Sequence, residues 1–213
     1  MRQCARCDRG SAMDLSSTSM SSTRVVLRSF APADAREVFG AATPTVTRYM
    51  SWDPALCLDA FEKIWRDWLP MMAKGTDVHF VVRLKTSQEF LGMAGLHNIG
   101  ASEPEAGIWI KEAKHGNGYG RDAVVAVVSF AASALGKKAV LYPVAEVNGP
   151  SRRLAQSVDG RSLGNGCSGR VAASNTRKSC TEFPSLWWAV SSPVFIRSQS
   201  NVSSRWKLID DSS

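Results

Sequence analysis

The segment from Gly107 to Ala123, GIWIKEAKHGNGYGRDA, combines a short apolar run, three closely spaced glycines (Gly116, Gly118 and Gly120) and the start of an apolar helix. Glycine lets a backbone approach a ligand closely, and the first N–H groups of a helix point outward with the positive end of the helix dipole behind them. A strand, a glycine-rich loop and a helix start in this order form a binding site for phosphate. A simple turn is the alternative interpretation of the same glycines.

The apolar spacing on both sides of this loop predicts the elements that hold it in place. Runs of apolar and β-branched residues predict five strands, over residues 24–30, 78–84, 90–99, 106–111 and 139–146. Helical spacing predicts four helices, over residues 32–42 and 56–73, after the glycine loop as far as Gly136, and from Asn148 onward. An antiparallel meander is thus followed by a parallel strand–helix–strand crossover. We predict an α+β domain with a mixed, mainly antiparallel sheet flanked by helices.

Length and composition are those of a soluble globular protein of about one domain. The chain has 213 residues, of which 44% are hydrophobic and 21% charged. No apolar run approaches the roughly 20 residues that a membrane helix needs. The N-terminus has no apolar segment typical of a secretory signal, so we predict a cytoplasmic protein without a membrane partner.

The distribution of charge and cysteine excludes two further classes of function. The formal net charge is +7, but more than half of this excess lies before Arg24 or after Ser157. The part between them has no stripe of basic and aromatic residues, so we predict no nucleic-acid partner. The five cysteines include Cys4 and Cys7 at CxxC spacing, without the further ligands of a zinc site. We predict reduced thiols and no metal.

Five segments of the chain together resemble one protein family. They are RVVLRSFAPADA in the first strand and helix, TRYMSWDP in the following loop, LGMAGLHNI in the third strand, GIWIKEAKHGNGYGRDA, and YPVAEVNGPSRRLA. Their combination is similar to the GNAT N-acetyltransferase superfamily, and most similar to the branch of the bacterial ribosomal-protein N-terminal acetyltransferases. The resemblance covers residues 24–157, which we interpret as an acetyl-CoA-binding domain. The Ser-rich residues 1–23 are predicted to be a disordered extension.

The resemblance implies that acetyl-CoA is the acetyl donor and that the glycine loop binds its pyrophosphate. His115 stands where the family usually has Gln or Arg, but main-chain N–H groups provide most of the pyrophosphate contacts in the family. The implied pyrophosphate-binding residues are His115, Gly116, Asn117, Gly118, Tyr119, Gly120 and Arg121.

The resemblance also implies a site for the pantetheine arm. In this fold the strand before the loop and the strand after the helix splay apart, and the arm lies in the gap against the backbone of Ile108, Trp109 and Ile110. Asn148 and Ser151 match the Asn-x-x-Ser of the family's last helix, where these residues contact the cofactor arm. Ordinary helix capping is the alternative role of Asn148.

The implied reaction is direct transfer of the acetyl group to an amine of a small molecule or a protein N-terminus. Glu105, at the start of the central strand, is the first candidate for the base that takes the amine proton, and His97 is the second. A solvated strand-end carboxylate and a structural histidine are the respective alternatives. No residue is assigned as the acid for the leaving thiolate. Both a monomer and a homodimer are compatible with the sequence.

Residues 158–213 lack the pair of strands with which the family closes its sheet. The segment is Ser-rich and keeps little of the periodicity of strands or helices. We hypothesise that an altered reading frame near Gly160 replaced the family's C-terminus, which would leave one sheet edge without a partner. A catalytically impaired CoA-binding module is therefore the alternative to an active N-acetyltransferase.

Overall fold

Strands from both ends of the chain build one mixed sheet. The computed structural model describes residues 13–158, 160–162 and 193–197. It contains eight strands: β1 (Ser19–Ser21), β2 (Val25–Ser29), β3 (Val78–Leu84), β4 (Phe90–His97), β5 (Glu105–Ile110), β6 (Ala139–Pro143), β7 (Gly160–Ser162) and β8 (Pro193–Arg197). Their order in the sheet is β1-β2-β3-β4-β5-β6-β8-β7. Only β5 and β6 are parallel, so the α+β class with a mainly antiparallel sheet is confirmed.

The helices cover both faces of this sheet. They are α1 (Ala35–Ala41), α2 (Pro44–Thr47), α3 (Leu58–Ala73), α4 (Tyr119–Ser133) and α5 (Gly149–Ser157). One face packs against α1 and α3, and α4 covers the other with α5 beside it. The short helix α2 was predicted as a loop, although Pro44 at its first position and the capping side chain of Thr43 are ordinary start signals. Among the described residues, no helix is long and apolar enough to cross a membrane.

The core of the α3 face is a cluster of rings. Trp68 of α3 meets Phe30 and Phe61 edge to face, with ring centroids 5.1 and 5.7 Å apart. On the other face, Phe80 of β3 meets Phe130 of α4 in the same manner at 5.9 Å. Edge-to-face pairs favour a defined geometry, so both layers hold the sheet in a fixed position.

The N-terminal segment corrects one expectation. Residues 13–23 are part of the fold, because β1 pairs with β2 and the side chains of Leu15 and Met20 are only 1% and 6% exposed. The N–H of Leu15 also donates to the carbonyl of Met72 at 2.9 Å. Predicted disorder as far as residue 23 is therefore wrong for residues 13–23, since two buried apolar side chains outweigh the Ser-rich composition. Residues 1–12 lie outside the described residues.

The far edge of the sheet corrects a second expectation. Strand β8 pairs with β6 from Ala139↔Arg197 to Pro143↔Pro193, and β7 pairs with β8. The outer edge of β6 is therefore paired, although the sequence pattern indicated a sheet edge without a partner. The rest of residues 158–213 lies outside the described part of the chain, and the altered reading frame stays a hypothesis.

Strands β5 and β6 separate as expected. They pair at a single position, Glu105↔Leu141, where the N–H of Leu141 donates to the carbonyl of Pro104 at 2.9 Å. Beyond this point the two strands have no register pairs, and a cleft opens between them. The inner edge of β5 stays fully paired with β4 over the same residues.

Candidate active site

The glycine loop and the start of α4 form a cradle of main-chain N–H groups. Gly116 and Gly118 both have φ of +77°, a left-handed conformation that side chains disfavour, and Gly118 is the N-cap of α4. The first N–H of this stretch with a main-chain acceptor is that of Asp122, which donates to the carbonyl of Gly118. Within the described chain, the N–H groups of residues 116–121 have no protein acceptor. Six such donors at a helix start suit a pyrophosphate.

Arg24, at the edge of β2, fixes this cradle from outside. Its Nη1 donates to the carbonyl of Asn117 at 2.8 Å and its Nε donates to Oδ2 of Asp122 at 2.7 Å. Its guanidinium group also lies over the ring of Tyr119, 5.3 Å from the centroid. Asp122, in the first turn of α4, is therefore the anionic partner of Arg24.

Removing the contacts of Arg24 with the glycine loop and α4 should weaken CoA binding. We expect Arg24→Met, which keeps the alkyl stem and removes the two hydrogen bonds, to raise the CoA Kd about 10-fold, because the loop must then be ordered by the ligand. Isothermal calorimetry measures this change. Arg66→Met is the matched control, since Arg66 forms its ion pair with Glu62 of the same helix, α3, and not with the glycine loop. An unchanged Kd in Arg24→Met would contradict the role.

Two side chains of the loop, His115 and Arg121, contact protein groups. Nε2 of His115 lies 2.6 Å from the carbonyl oxygen of Ile110, so this nitrogen carries a proton and ties the loop to the end of β5. Nε of Arg121 donates to the carbonyl of Ser157 at the end of α5 at 3.3 Å. Both side chains thus position the loop, while the main chain of residues 116–121 faces outward.

The cleft between β5 and β6 has an empty volume of about 440 Å³. It is lined by Ile108 of β5 and by Asn148 and Ser151 at the start of α5, three of the residues expected to contact the cofactor arm. The side chains of Trp109 and Ile110 are buried, and neither residue lines this cleft. Oδ1 of Asn148 accepts from the N–H of Ser151 at 3.2 Å, so Asn148 caps α5 and also borders the cleft.

Tyr142 places a hydroxyl group on the cleft wall. It lies on β6, lines the cleft, and its hydroxyl oxygen is 2.9 Å from Oγ of Ser151. Burial raises the pKa of Tyr142 to about 12, although the hydrogen bond with Ser151 opposes the shift. The hydroxyl is therefore protonated at neutral pH and available as a donor.

A second cavity, on the α3 side of the sheet, contains two histidines. His79 of β3 and His97 of β4 both line it, and their ring centroids are 5.1 Å apart. The imidazole of His79 stacks on Trp68 at 4.2 Å, and burial, with the nearby His97, lowers its pKa well below 6.5. His79 is therefore neutral at pH 7 and acts as part of the wall.

His97 forms a dyad with Asp77. Its Nδ1 lies 3.2 Å from Oδ1 of Asp77, at the start of β3. Burial alone would raise the pKa of Asp77, but the hydrogen bonds that it accepts, first the one from His97, lower it on balance, so the carboxylate is ionised. Nε2 of His97 lies 2.6 Å from the point where a Cβ on Gly95 would stand, so only glycine there leaves room for this ring.

The two cavities meet on β5. The histidine cavity has an empty volume of about 600 Å³, and Gly107 and Ile108 line both it and the cleft. Glu105 faces His97 across the β4–β5 ladder, at the closed end of the cleft, and lines neither cavity. The structure thus brings His97, Ile108, Asn148 and Ser151 to adjoining cavities and leaves Glu105 at their margin.

Comparison with known proteins gives the family. A family model described as the acetyltransferase (GNAT) domain matches residues 24–161. The chain belongs to the GNAT acetyltransferase family. Acetyl-CoA is accordingly its acetyl donor, and the N–H cradle and the open cleft between β5 and β6 fit the pyrophosphate and the pantetheine arm. No curated protein matches the sequence.

Solved structures of low identity share the GNAT fold. They include Mycobacterium smegmatis RimJ in complex with CoA-disulfide, with TM-score 0.62, 19% identity, and 70% of this chain and 78% of that chain covered. A putative ribosomal-protein-serine acetyltransferase from Vibrio cholerae has TM-score 0.61 and 18% identity over 83% and 94% of the two chains. The spermidine N-acetyltransferase of Vibrio cholerae, with CoA and spermine, has TM-score 0.62 and 15% identity over 81% and 95%.

Sequence analysis missed three residues of the site. Arg24 is 98 positions from Asp122, and Asp77 is 20 positions from His97, so no local pattern connects either pair. Tyr142 was seen in its strand, but the direction of its hydroxyl depends on α5.

Proposed function

We propose that this GNAT chain transfers the acetyl group of acetyl-CoA directly to an amine of a small molecule or a protein N-terminus. The observation that carries the proposal is the junction of the two cavities at Gly107 and Ile108. An acetyl thioester in the cleft and an amine in the histidine cavity would meet there without a covalent enzyme intermediate. Bringing two reactants together in this way is itself a large part of catalysis.

His97 is the base in this proposal. The N–H at Nδ1 donates to Asp77, and Nε2 is the nitrogen that accepts the proton of the attacking amine. The nitrogen attacks the carbonyl carbon, the carbon–sulfur bond breaks, and the amine proton passes to His97. Glu105, the first candidate from sequence, borders neither cavity and takes second place.

Tyr142 is the acid in this proposal, a role left open by the sequence. Its protonated hydroxyl lines the cleft beside Ser151 and can donate its proton to the thiolate that leaves. The products are an amide and the thiol of CoA. His97 then releases its proton to solvent and Tyr142 takes a proton from solvent, which restores both side chains. The relatives named above act on, or are named for, a ribosomal protein and spermidine, and this chain's acceptor belongs to the same broad class of amines.

Tyr142→Phe tests the acid. We expect kcat to fall by about 10- to 100-fold with an unchanged CoA Kd, because the variant keeps the ring packing and loses the proton donor. Stopped-flow or steady-state thiol release measures kcat, and calorimetry measures Kd. Tyr49→Phe is the control, since Tyr49 also lines the cleft but is partly exposed. Equal losses in the two variants would contradict a specific role for Tyr142.

The function itself is tested on the purified full chain. CoA binding is measured by calorimetry, and thiol release from acetyl-CoA is measured against a panel of small amines and peptides. We expect CoA binding and release with at least one amine. Binding without release on any acceptor would support the alternative, a catalytically impaired CoA-binding module, and no CoA binding would contradict both functions.

A further inference from the structure

We infer that the histidine cavity selects a primary amine attached to an apolar ring, a small molecule rather than a polyamine or a peptide N-terminus. The inference rests on the proposed function, since it assumes that this cavity receives the acceptor. It concerns the body of the acceptor and not the transfer chemistry.

Five aromatic side chains of the described residues line the cavity. Phe39 and Phe61, from α1 and α3, have ring centroids 6.3 Å apart, and Trp68 meets Phe61 edge to face. Trp52 lines the same cavity from the loop between α2 and α3, and Trp109 lines it from β5. A planar apolar ligand gains both buried area and edge-to-face contacts in such a site.

The described residues of the wall offer no anion for a second cation. The titratable side chains among them are His79 and His97, and the nearby carboxylate of Asp77 lies behind His97 and does not line the cavity. A polyamine would bring at least one further ammonium group into this space. A buried charge without a partner is strongly unfavourable, so the cavity selects against a polyamine.

The wall is equally poor in partners for a peptide. A peptide N-terminus carries a carbonyl and an N–H group within a few atoms of its amine, and both need hydrogen bonds when buried. Strand β4 beneath the cavity cannot supply them, because it is paired with β3 on one side and with β5 on the other, and the unpaired edge of β5 borders the cofactor cleft. An amine on a hydrocarbon ring has no such requirement.

The test compares three acceptors of the full-length protein in the presence of acetyl-CoA. We expect kcat/KM for 2-phenylethylamine to exceed that for spermidine and for a Ser-initiated tetrapeptide by on the order of 100-fold, the effect of burying one ring. Equal or better turnover of spermidine or of the peptide would overturn the inference.

A binding measurement separates this inference from the proposed function. Calorimetry with the CoA-bound protein compares the Kd of 2-phenylethylamine with that of spermidine, and needs no turnover. Tighter binding of 2-phenylethylamine supports the inference even if no acetyl group is transferred, in which case the proposed function alone fails. Absence of binding by 2-phenylethylamine overturns the inference, whatever other amine is acetylated.

A matched pair of variants tests whether the cavity wall sets the preference for 2-phenylethylamine over spermidine. Ile64 of α3 is half-buried and lines the cavity, so Ile64→Glu places a carboxylate at its wall. Ala73→Glu adds the same charge at an exposed position of the same helix, outside the lining residues. We expect Ile64→Glu to lower the preference for 2-phenylethylamine over spermidine at least 10-fold and Ala73→Glu to leave it unchanged. An equal shift in both variants would show that net charge, and not the cavity, sets the preference.

Discussion

Replacing His97 with Gln is expected to lower kcat by about 10²- to 10⁴-fold, the usual contribution of a positioned base. Gln can occupy the space over Gly95 but cannot take a proton from the amine. The CoA Kd is expected to stay unchanged, because His97 lines the acceptor cavity and not the cofactor cleft. Steady-state thiol release and CoA calorimetry on the same preparation measure the two quantities.

Asp77→Asn separates positioning from proton transfer in the same dyad. The amide keeps the size of the side chain but removes the anion that holds the Nδ1 proton of His97. We expect a smaller loss of kcat than in His97→Gln and a displaced pH profile of kcat/KM. If Glu105 were the base, Glu105→Gln would show the large loss and His97→Gln would not.

Replacing Asp34 with Ala is expected to lower the free energy of unfolding by about 2–3 kcal/mol, less than for a fully buried pair because Arg28 is partly exposed. Asp34 is 2% exposed, and its carboxylate accepts two hydrogen bonds from Arg28, at 2.7 and 2.5 Å, and one from Arg83 at 3.1 Å. These bonds hold β2 and β3 to the segment that begins α1. Removal of Asp34 leaves both cations without their shared partner.

Urea unfolding with a paired control measures this effect. Glu37→Ala removes the exposed partner of Arg83 and should change the stability by less than about 1 kcal/mol. A similar loss of stability in both variants would show that burial of Asp34 does not make its ion pairs more stabilising than the exposed pair of Glu37 with Arg83. The free energy of unfolding requires a two-state transition, which the coincidence of fluorescence and circular-dichroism curves tests.

The pH dependence of stability provides a further check on Asp34. Burial alone would raise the pKa of Asp34. The hydrogen bonds from Arg28, from the N–H of Ala31 and from Arg83, together with the charge of Arg28, lower this pKa on balance. A carboxyl group with a lowered pKa in the folded state stabilises the protein above its unfolded pKa of about 3.9. This contribution is lost as the pH falls through the lowered folded value, so the difference in stability between the wild type and Asp34→Ala should shrink as the pH falls below about 3.9.

Local patterns predicted the parts of the site that are contiguous in sequence. Gly116 and Gly118 lie in the loop before α4, and Gly120 lies in the first turn of this helix. Their close spacing can be recognised from the sequence without knowledge of the fold. The separation of β5 and β6 followed from the family resemblance, and Asn148 was recognisable as a helix cap. In each case a few neighbouring residues carry the whole signal.

The remaining parts depend on contacts between distant residues. Arg24 was seen only as the first residue of a strand, whereas its partners lie 93 and 98 positions away. The preference for Glu105 over His97 came from the strand start, and could not include the direction in which each side chain meets a cavity. Strand β8 was missed because Val194, Phe195 and Ile196 form a short apolar run in a segment without other periodicity.

The pairing of β6 with β8 has a consequence for the order of folding. Strands β3, β4 and β5 follow one another closely in the chain, whereas β8 begins 50 positions after β6 ends. Pairing β8 with β6 therefore brings together residues that are much farther apart in the sequence, which is slower. The β1–β5 half can therefore assemble first, and the half that completes the cofactor cleft docks later. Native-state hydrogen exchange should show β6 and α5 opening more readily than β3 and β4. CoA should slow exchange in β6 and α5 selectively, because it binds only when both halves are in place.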